Sequence, residues 1–347
     1  MRQTHSCFRR FFLLTAVFIL VFFASFFIGR FSVSSLDCLR ILLDRALRLL
    51  SGDRLGLAQT WTAAQASAVL NVRLPRIAAA ALVGAALSSA GVSYQGMFRN
   101  PMVSPDLLGA STGAGFGAAL AILLGLGYFA ITASAFAFGL LAVALAYVTG
   151  RRGRHRVTLS MVLAGVMVSS LFSSGTSFIK LVADTESQLP AITYWLMGSL
   201  ASIRHRDVQF AAVPSVIGLV PLLLLRWRIN LLTLSEAEAR SMGVDTRRLR
   251  FLVILCATLM TAGSVSISGM IGWVGLVVPH FCRMLFGYDY RRLLPASALM
   301  GAAFLIVVDD LARVLSTSEI PLGILTSFVG APLFLYLILS GGSGHAD

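Results

Sequence analysis

The sequence has little charge and a single lysine. Charged residues make up 12% of the 347 residues, whereas hydrophobic residues make up 57%. This composition is too apolar for a water-soluble domain and is typical of an integral membrane protein. The 28 basic residues outnumber the 15 acidic ones, but they lie in short clusters between apolar runs. That distribution indicates positively charged loops beside a membrane and argues against nucleic-acid binding.

Several catalytic and metal-binding motifs are also missing. A phosphate-binding P-loop needs Gly-Lys-Ser or Gly-Lys-Thr, whereas the only lysine, Lys180, is followed by Leu181. His280 has no second histidine or carboxylate at metal-ligand spacing. We therefore expect a chain that is not an enzyme and that holds no metal or cofactor itself. The four cysteines have no paired spacing, so neither a zinc site nor a disulfide framework is expected from them: Cys7, Cys38, Cys256 and Cys282.

Apolar segments predict an all-α integral membrane protein with about ten transmembrane helices in one domain, residues 1–347. The first segment, Phe11 to Ile28, is long enough to favour a retained span over a cleaved signal peptide. Similar Ala-Gly, Gly and Pro positions at 90–101 and 262–279 indicate an inverted repeat of spans two to five and seven to ten. The other nine spans are predicted at approximately 77–98, 107–128, 130–149, 157–182, 207–225, 249–267, 271–286, 294–314 and 322–340.

The arginines predict the orientation in the membrane. With both termini in the cytoplasm, 17 of the 27 arginines face the cytoplasm, as the positive-inside rule favours. The predicted extracytoplasmic segment 29–76 fits that rule poorly, since it carries seven of the other ten. Within this segment, Ser34 to Leu50 has leucines at helical spacing with charges opposite. The pattern predicts an amphipathic helix lying along the membrane surface.

A polar stretch, Arg226 to Arg250, interrupts the apolar runs in the second half of the chain. Its centre, Leu234 to Met242, favours a short helix with Ser235 as the N-cap. Gly243 is suited to end this helix in a left-handed conformation, and Asp245 is suited to begin another. We interpret the stretch as two helical starts joined by a glycine elbow, on the cytoplasmic side, where a soluble partner can contact it.

Short motifs follow one another along residues 15–340. In this order and spacing they resemble the signature of the FecCD family, whose members are permease subunits of ABC importers for ferric siderophores, haem and vitamin B12. Trp273, in place of the usual Phe, and the acidic pair Asp309-Asp310 depart from the family pattern. The motifs are Arg73-Leu-Pro-Arg76, Val83-Gly-Ala-Ala-Leu87, Arg99-Asn-Pro101, Pro105-Asp-Leu-Leu-Gly109, Leu163-Ala-Gly165, Trp195-Leu-Met-Gly-Ser199, Ala239-Arg-Ser-Met-Gly243, Gly272-Trp-Val-Gly-Leu-Val-Val-Pro-His280, Arg291-Arg-Leu-Leu-Pro295 and Gly330-Ala-Pro332.

The resemblance implies a type II ABC importer permease that forms a homodimer in the inner membrane of a prokaryote. Two copies of a cytoplasmic ATPase, which hold ATP and Mg²⁺, would bind it, and a periplasmic or lipid-anchored binding protein would deliver the cargo. The family favours an iron-siderophore chelate as cargo, with vitamin B12 or haem as alternatives. It also implies two sets of contact residues: Glu238, Ala239, Arg240, Ser241, Met242 and Gly243 in the cytoplasmic coupling segment 226–250, and Arg73, Arg76 and Arg313 where the binding protein docks.

An ion-coupled secondary transporter is the alternative from a different class. Such transporters carry ionisable groups near the bilayer midplane. Here Lys180 and the group from Asp309 to Arg313 lie near the predicted span ends. The sequence therefore favours the ABC importer permease.

Overall fold

The computed structural model describes residues 2–52, 56–152, 157–234, 236–316 and 318–341. Within these residues the chain forms helices and no strands. A 3₁₀ turn, Ser25–Phe27, follows α1, and a π-helical segment, Ala68–Arg73, joins α3 to α4. The helices are α1 (Arg2–Ala24), α2 (Ser35–Ser51), α3 (Ala63–Ser67), α4 (Leu74–Phe98), α5 (Ala110–Leu123), α6 (Tyr128–Arg151), α7 (Val157–Val182), α8 (Gln188–Met197), α9 (His205–Leu232), α10 (Glu236–Ser241), α11 (Thr246–Ser268), α12 (Val274–Phe286), α13 (Tyr290–Val314) and α14 (Leu322–Gly341).

Ten of these helices correspond to the ten predicted spans. Seven helical segments of the described chain, built around α1, α4, α6, α7, α9, α11 and α13, are long and apolar enough to cross a membrane. The shorter apolar helices α5, α12 and α14 match the remaining three predicted spans. The all-α membrane fold is therefore confirmed. Both halves also have a short second helix, 14 residues in α5 and 13 in α12, as an inverted repeat predicts.

Helix α4 is the central helix, because it packs against α9, α11, α12 and α13. Two glycines allow its neighbours to approach closely. A Cβ at Gly84 would lie 2.1 Å from the carbonyl oxygen of Gly301 on α13, and one at Gly91 would lie 1.9 Å from that of Gly275 on α12. Small residues at such crossings let helix backbones meet in lipid, where no hydrophobic effect drives helices together.

We predict that Gly91→Ala destabilises the fold, because the added methyl group meets backbone that no side-chain rotation can move. The expected cost is about 1 to 3 kcal/mol, the usual range for overpacking. Gly127→Ala is the matched control, since a Cβ there meets no atom within 4 Å. Thermal unfolding of both purified variants in detergent measures the effect, and equal melting temperatures would contradict the prediction.

The predicted amphipathic helix is α2, which is capped by Ser34 through a 3.1 Å bond from the Asp37 amide. Cys38 and Ile41 on one face are buried against the protein. Opposite them, leucines remain exposed and form an apolar stripe that can rest in the membrane surface. That stripe consists of Leu36, Leu39, Leu43 and Leu50.

A buried carboxylate joins α2 to the chain that follows it. Asp44 accepts hydrogen bonds from the Arg48 side chain and from the Leu57 amide, both at 2.8 Å. These bonds hold the pKa of the Asp44 carboxyl below its usual range. The side chain therefore stays ionised at neutral pH and holds residues around Leu57 against α2.

Helix α8 was not predicted. It is 10 residues long, too short to span a membrane, and Ile192 is its buried residue. Leu189, Ile192 and Leu196 have helical spacing and line one packed cluster with α5 and α7. That spacing could have indicated the helix from the sequence.

Candidate functional site: the glycine elbow and the buried charge cluster

The glycine elbow is formed as predicted. Gly243 has a φ of +76°, and its N–H donates to the Arg240 carbonyl at 2.9 Å, which ends α10. Asp245 then caps α11 by accepting the Arg247 and Arg248 amides at 3.0 and 3.1 Å. Helix α10 is shorter than the predicted Leu234 to Met242, and the predicted cap Ser235 lies outside the described residues. The chain therefore turns sharply between α10 and α11.

One side of the elbow is anchored and the other is exposed. Ala239 is 1% exposed, where α10 packs against the ends of α9 and α11. Its neighbours Glu238, Arg240 and Ser241 are exposed, as is Met242. The buried alanine fixes the position of α10, so that the charged and apolar side chains beside it point away from the bundle.

A second set of bonds ties the end of α9 to the start of α13, near the elbow. The Asn230 side chain donates to Asp289 at 2.8 Å and accepts the Tyr290 amide at 2.9 Å. Partial burial tends to raise the pKa of Asp289, but bonds from the Arg291 amide and Asn230, with nearby arginine charges, hold it below its usual range. These bonds join the end of α9, on which α10 packs, to α13, which packs on the central α4.

At the opposite end of the bundle, Asp309 is fully buried and joins two arginines. The Arg76 guanidinium donates to both Asp309 carboxylate oxygens, at 2.9 and 3.0 Å, and Arg313 approaches the same carboxylate at 3.2 Å. Arg76 also pairs with Glu319 at 2.9 Å. Charged hydrogen bonds of this kind are strong when both partners are shielded from water.

The cluster also binds the end of the first span. Arg73 donates to the carbonyls of Phe26 and Phe31, both at 2.6 Å. Arg313 bonds to the Ile28 carbonyl and to the Ser25 hydroxyl, which in turn donates to Asp310 at 2.6 Å. The cluster therefore locks together the chain after α1, the start of α4 and the end of α13.

The three arginines predicted to dock a partner are thus brought together, but they are not exposed. Arg73, Arg76 and Arg313 are 5%, 5% and 6% exposed, and two of the three pair with carboxylates of this same chain. The expectation of three exposed outer arginines is wrong, because Arg76 and Arg313 pair with buried carboxylates and Arg73 donates to backbone carbonyls inside the fold. Their docking role stays a prediction.

Two neighbouring cavities lie between α5, α7, α8 and α14. The smaller, about 220 Å³, is lined by Lys180 and by hydroxyls of Thr112, Ser173 and Ser177, and has no carboxylate among its lining residues. The larger, about 640 Å³, is mainly apolar and includes Trp273. Leu196 and Met270 line both cavities and separate them. The described residues contain no cluster of three metal-ligating side chains.

These helices, cavities and polar ends define a multi-pass membrane protein with distinct surfaces on its two sides. The model of the FecCD transport family matches residues 17–340. The chain therefore belongs to the FecCD family and is an ABC importer permease.

Relatives support this assignment over almost the whole chain. The molybdate import system permease MolB of Haemophilus influenzae is 40% identical over 95% of this chain and 96% of its own. A probable iron chelatin transport permease of Helicobacter pylori is 43% identical over 78% of this chain and 82% of its own. The cobalamin import permease BtuC of Halobacterium salinarum is 42% identical over 77% of this chain and 72% of its own. A solved structure, described as an inward-facing metal-chelate type ABC transporter, is 39% identical with a TM-score of 0.83, covering 95% of this chain and 98% of its own.

Proposed function

We propose that this chain forms the transmembrane path of an importer whose energy comes from ATP hydrolysed on a separate cytoplasmic subunit. The observation that carries the proposal is the elbow, which projects Glu238, Arg240 and Met242 while Ala239 holds it to α9 and α11. The described chain offers no P-loop of its own, so the ATPase has to be another polypeptide. Contact with residues 238–243 would pass its movement to the bundle.

The cargo we propose is an iron chelate of the siderophore type, delivered by a binding protein. The iron chelatin permeases of Helicobacter pylori, at 43% identity, support this choice. Molybdate is the second candidate, because the molybdate permease matches nearly the full length and the cavity at Lys180 has cationic and hydroxyl groups suited to an oxyanion. Vitamin B12 and haem remain alternatives within the family, and the relatives that carry them are 42% and 37% identical.

Uptake into proteoliposomes tests this function. The full-length permease is reconstituted with its ATPase and binding protein, and radioactive iron chelate, molybdate, cobalamin and haem are compared with and without ATP. ATP-dependent accumulation of the iron chelate alone is the expected result. ATP-dependent accumulation of molybdate alone would show that the cargo is molybdate and would leave the proposed ABC importer mechanism intact. Accumulation driven by a proton or sodium gradient, without ATP, would reject the importer in favour of a secondary transporter.

We further propose that Arg73, Arg76 and Arg313 orient the binding protein. Because they are buried, docking has to exchange a carboxylate of this chain for one of the partner. Glu319, whose side chain is 25% exposed, is the accessible carboxylate on Arg76. Changing all three arginines to glutamate would break the buried cluster itself, so a milder variant is needed.

We predict that Glu319→Gln strengthens binding-protein association by about two- to fivefold, because Arg76 loses a competing charge, worth on the order of 1 kcal/mol when partly exposed. Rising salt should weaken binding-protein association with the unaltered permease and with Glu319→Gln alike, since charges are screened over about 8 to 10 Å. Glu186→Gln, on an exposed turn elsewhere, is the control. Surface plasmon resonance measures the affinity of each permease for the binding protein and its dependence on salt. An affinity that neither Glu319→Gln nor salt changes would leave the arginines with a structural role alone.

The proposed setting is the inner membrane of a prokaryote, with both termini in the cytoplasm and two copies of the chain per importer. We predict that a cysteine at Arg152, in the turn after α6, is protected from an impermeant thiol reagent in intact cells, whereas one at Glu186 is labelled. Both positions are exposed, so accessibility does not separate them. The native cysteines are first changed to serine, and the opposite labelling pattern would invert the topology.

A further inference from the structure

A groove follows the line where α6 packs against α11. Its membrane-facing part has a volume of about 420 Å³ and is almost wholly apolar. Thr258 is the polar residue in its lining, and its hydroxyl donates to the Ile254 carbonyl at 2.6 Å. A partner lying here can therefore offer only hydrocarbon. The remaining lining includes Leu140, Val143, Ala144, Val148, Leu255 and Leu259.

A second, basic cavity, the mouth, lies beside this groove at the end of the bundle that carries the elbow. Tyr147 and Phe251 line both parts, with ring centroids 5.5 Å apart. The mouth has a volume of about 630 Å³ and is lined by Arg151, Arg247 and Arg248. Aromatic side chains at this boundary are typical of the level of the lipid headgroups.

The mouth has an excess of positive charge. Asp245 is its acidic residue, and that carboxylate is already engaged as the cap of α11 and by the Arg248 side chain at 3.0 Å. Arg151 and Arg247 are exposed and have no ion-pair partner within the described residues. An anion entering the mouth would therefore meet two arginines that no carboxylate neutralises.

We infer that this groove binds one anionic phospholipid of the adjacent leaflet, with its phosphate at Arg151 and Arg247 and an acyl chain between α6 and α11. Each feature alone would be weak, since a free phosphate needs no apolar groove and an acyl chain needs no arginine. Because the groove and the mouth adjoin at Tyr147 and Phe251, a molecule with both a phosphate and an acyl chain fits the two together. Basic pockets between membrane helices are suited to such headgroups.

The position gives the lipid a means to influence the elbow. Arg247 lies in the first turn of α11, four residues after Gly243, and its amide is held by Asp245. A phosphate bound to Arg247 would stabilise this turn and the angle at which α10 meets α11. The lipid site itself depends only on the membrane fold and stands whether or not the proposed ATPase contact is correct.

Native mass spectrometry of the full-length chain tests the inference. The protein is titrated with phosphatidylglycerol, with phosphatidylcholine of the same acyl chains, and with glycerol phosphate, which lacks acyl chains. We expect phosphatidylglycerol to bind tightest. The double variant Arg151→Gln/Arg247→Gln should lose about 30-fold in its affinity, about fivefold for each arginine near a phosphate. Val148→Trp, whose larger side chain would fill the apolar groove between α6 and α11, should also lower the affinity for phosphatidylglycerol.

Arg228→Gln is the matched control, because Arg228 is an exposed arginine at the same end of the bundle that does not line the groove. Wild-type affinity in the double variant, or equal affinity for phosphatidylcholine, would overturn the inference. Competition by glycerol phosphate as effective as that of the lipid would assign the mouth to a free anion instead. Cross-linking of Val148→Cys to a second copy of the chain, with no lipid retained, would assign the groove to a protein interface and likewise overturn it.

Discussion

Asp309→Leu should destabilise the permease by about 3 to 5 kcal/mol, the usual cost of removing one partner from a buried ion pair. Asp309 is fully buried and accepts from both Arg76 and Arg313, so its loss leaves two guanidinium groups without their shared carboxylate. Both guanidinium groups are buried where the start of α4 meets the end of α13, with residue exposures of 5% and 6%. Unfolding in a denaturing detergent should shift to a lower detergent fraction, and the yield from membranes should fall.

Two further variants test whether the loss of charge pairing causes the destabilisation by Asp309→Leu. Asp184→Leu removes a carboxylate on an exposed turn and should lower the free energy of unfolding far less than Asp309→Leu does, since the bonds between Asp184 and Ser187 are exposed to water. Arg76→Leu combined with Asp309→Leu should recover part of the loss, because the two buried charges disappear together while Arg313 keeps Asp310. A double variant as unstable as the sum of both single variants would show that charge pairing is not the reason.

The membrane helices could be predicted from the sequence because each buries or exposes apolar groups along its whole length. The predicted span 157–182 has the same bounds as α7. The spans beside polar residues were less accurate: α9 extends to Leu232, seven residues beyond the predicted end, because Arg226 and Arg228 lie at the exposed membrane border, where a helix can continue. Hydropathy marks where lipid ends and does not mark where a helix ends.

The glycine elbow was predictable for a different reason. Gly243 and Asp245 act through their own backbone neighbours, so the left-handed turn and the cap follow from residue type. Arg73, Arg76 and Arg313 lie together at the end of the bundle opposite the elbow, and their burial was not predicted. Arg76 and its partners Asp309 and Glu319 are more than 230 residues apart in sequence. The one local signal was Asp309 placed four residues before Arg313, a spacing that brings both to one helix face.

Gly243→Pro should abolish coupled transport while the protein still inserts in the membrane. Proline holds φ near −65°, whereas Gly243 requires +76°, so the substitution cannot keep the turn between α10 and α11. The exposed residues 238–242 would then point elsewhere, and the proposed ATPase would lose its contact. We expect ATP-dependent uptake to fall at least tenfold. Reversing the charges, with Glu238→Arg and Arg240→Glu together, should have the same effect without altering the backbone.

Gly125→Pro separates loss of coupling from local strain. Gly125 has a φ of +67° in the turn between α5 and α6, and like Gly243 it has open space where a Cβ would stand. The control therefore disturbs a turn of the same kind at the other end of the bundle, away from the proposed ATPase contact. ATP-dependent uptake and co-purification of the ATPase should be retained in Gly125→Pro and lost in Gly243→Pro. Normal uptake by a well-expressed charge-reversed variant would contradict the coupling role, because that variant retains Gly243 and inverts the charges that the ATPase would contact.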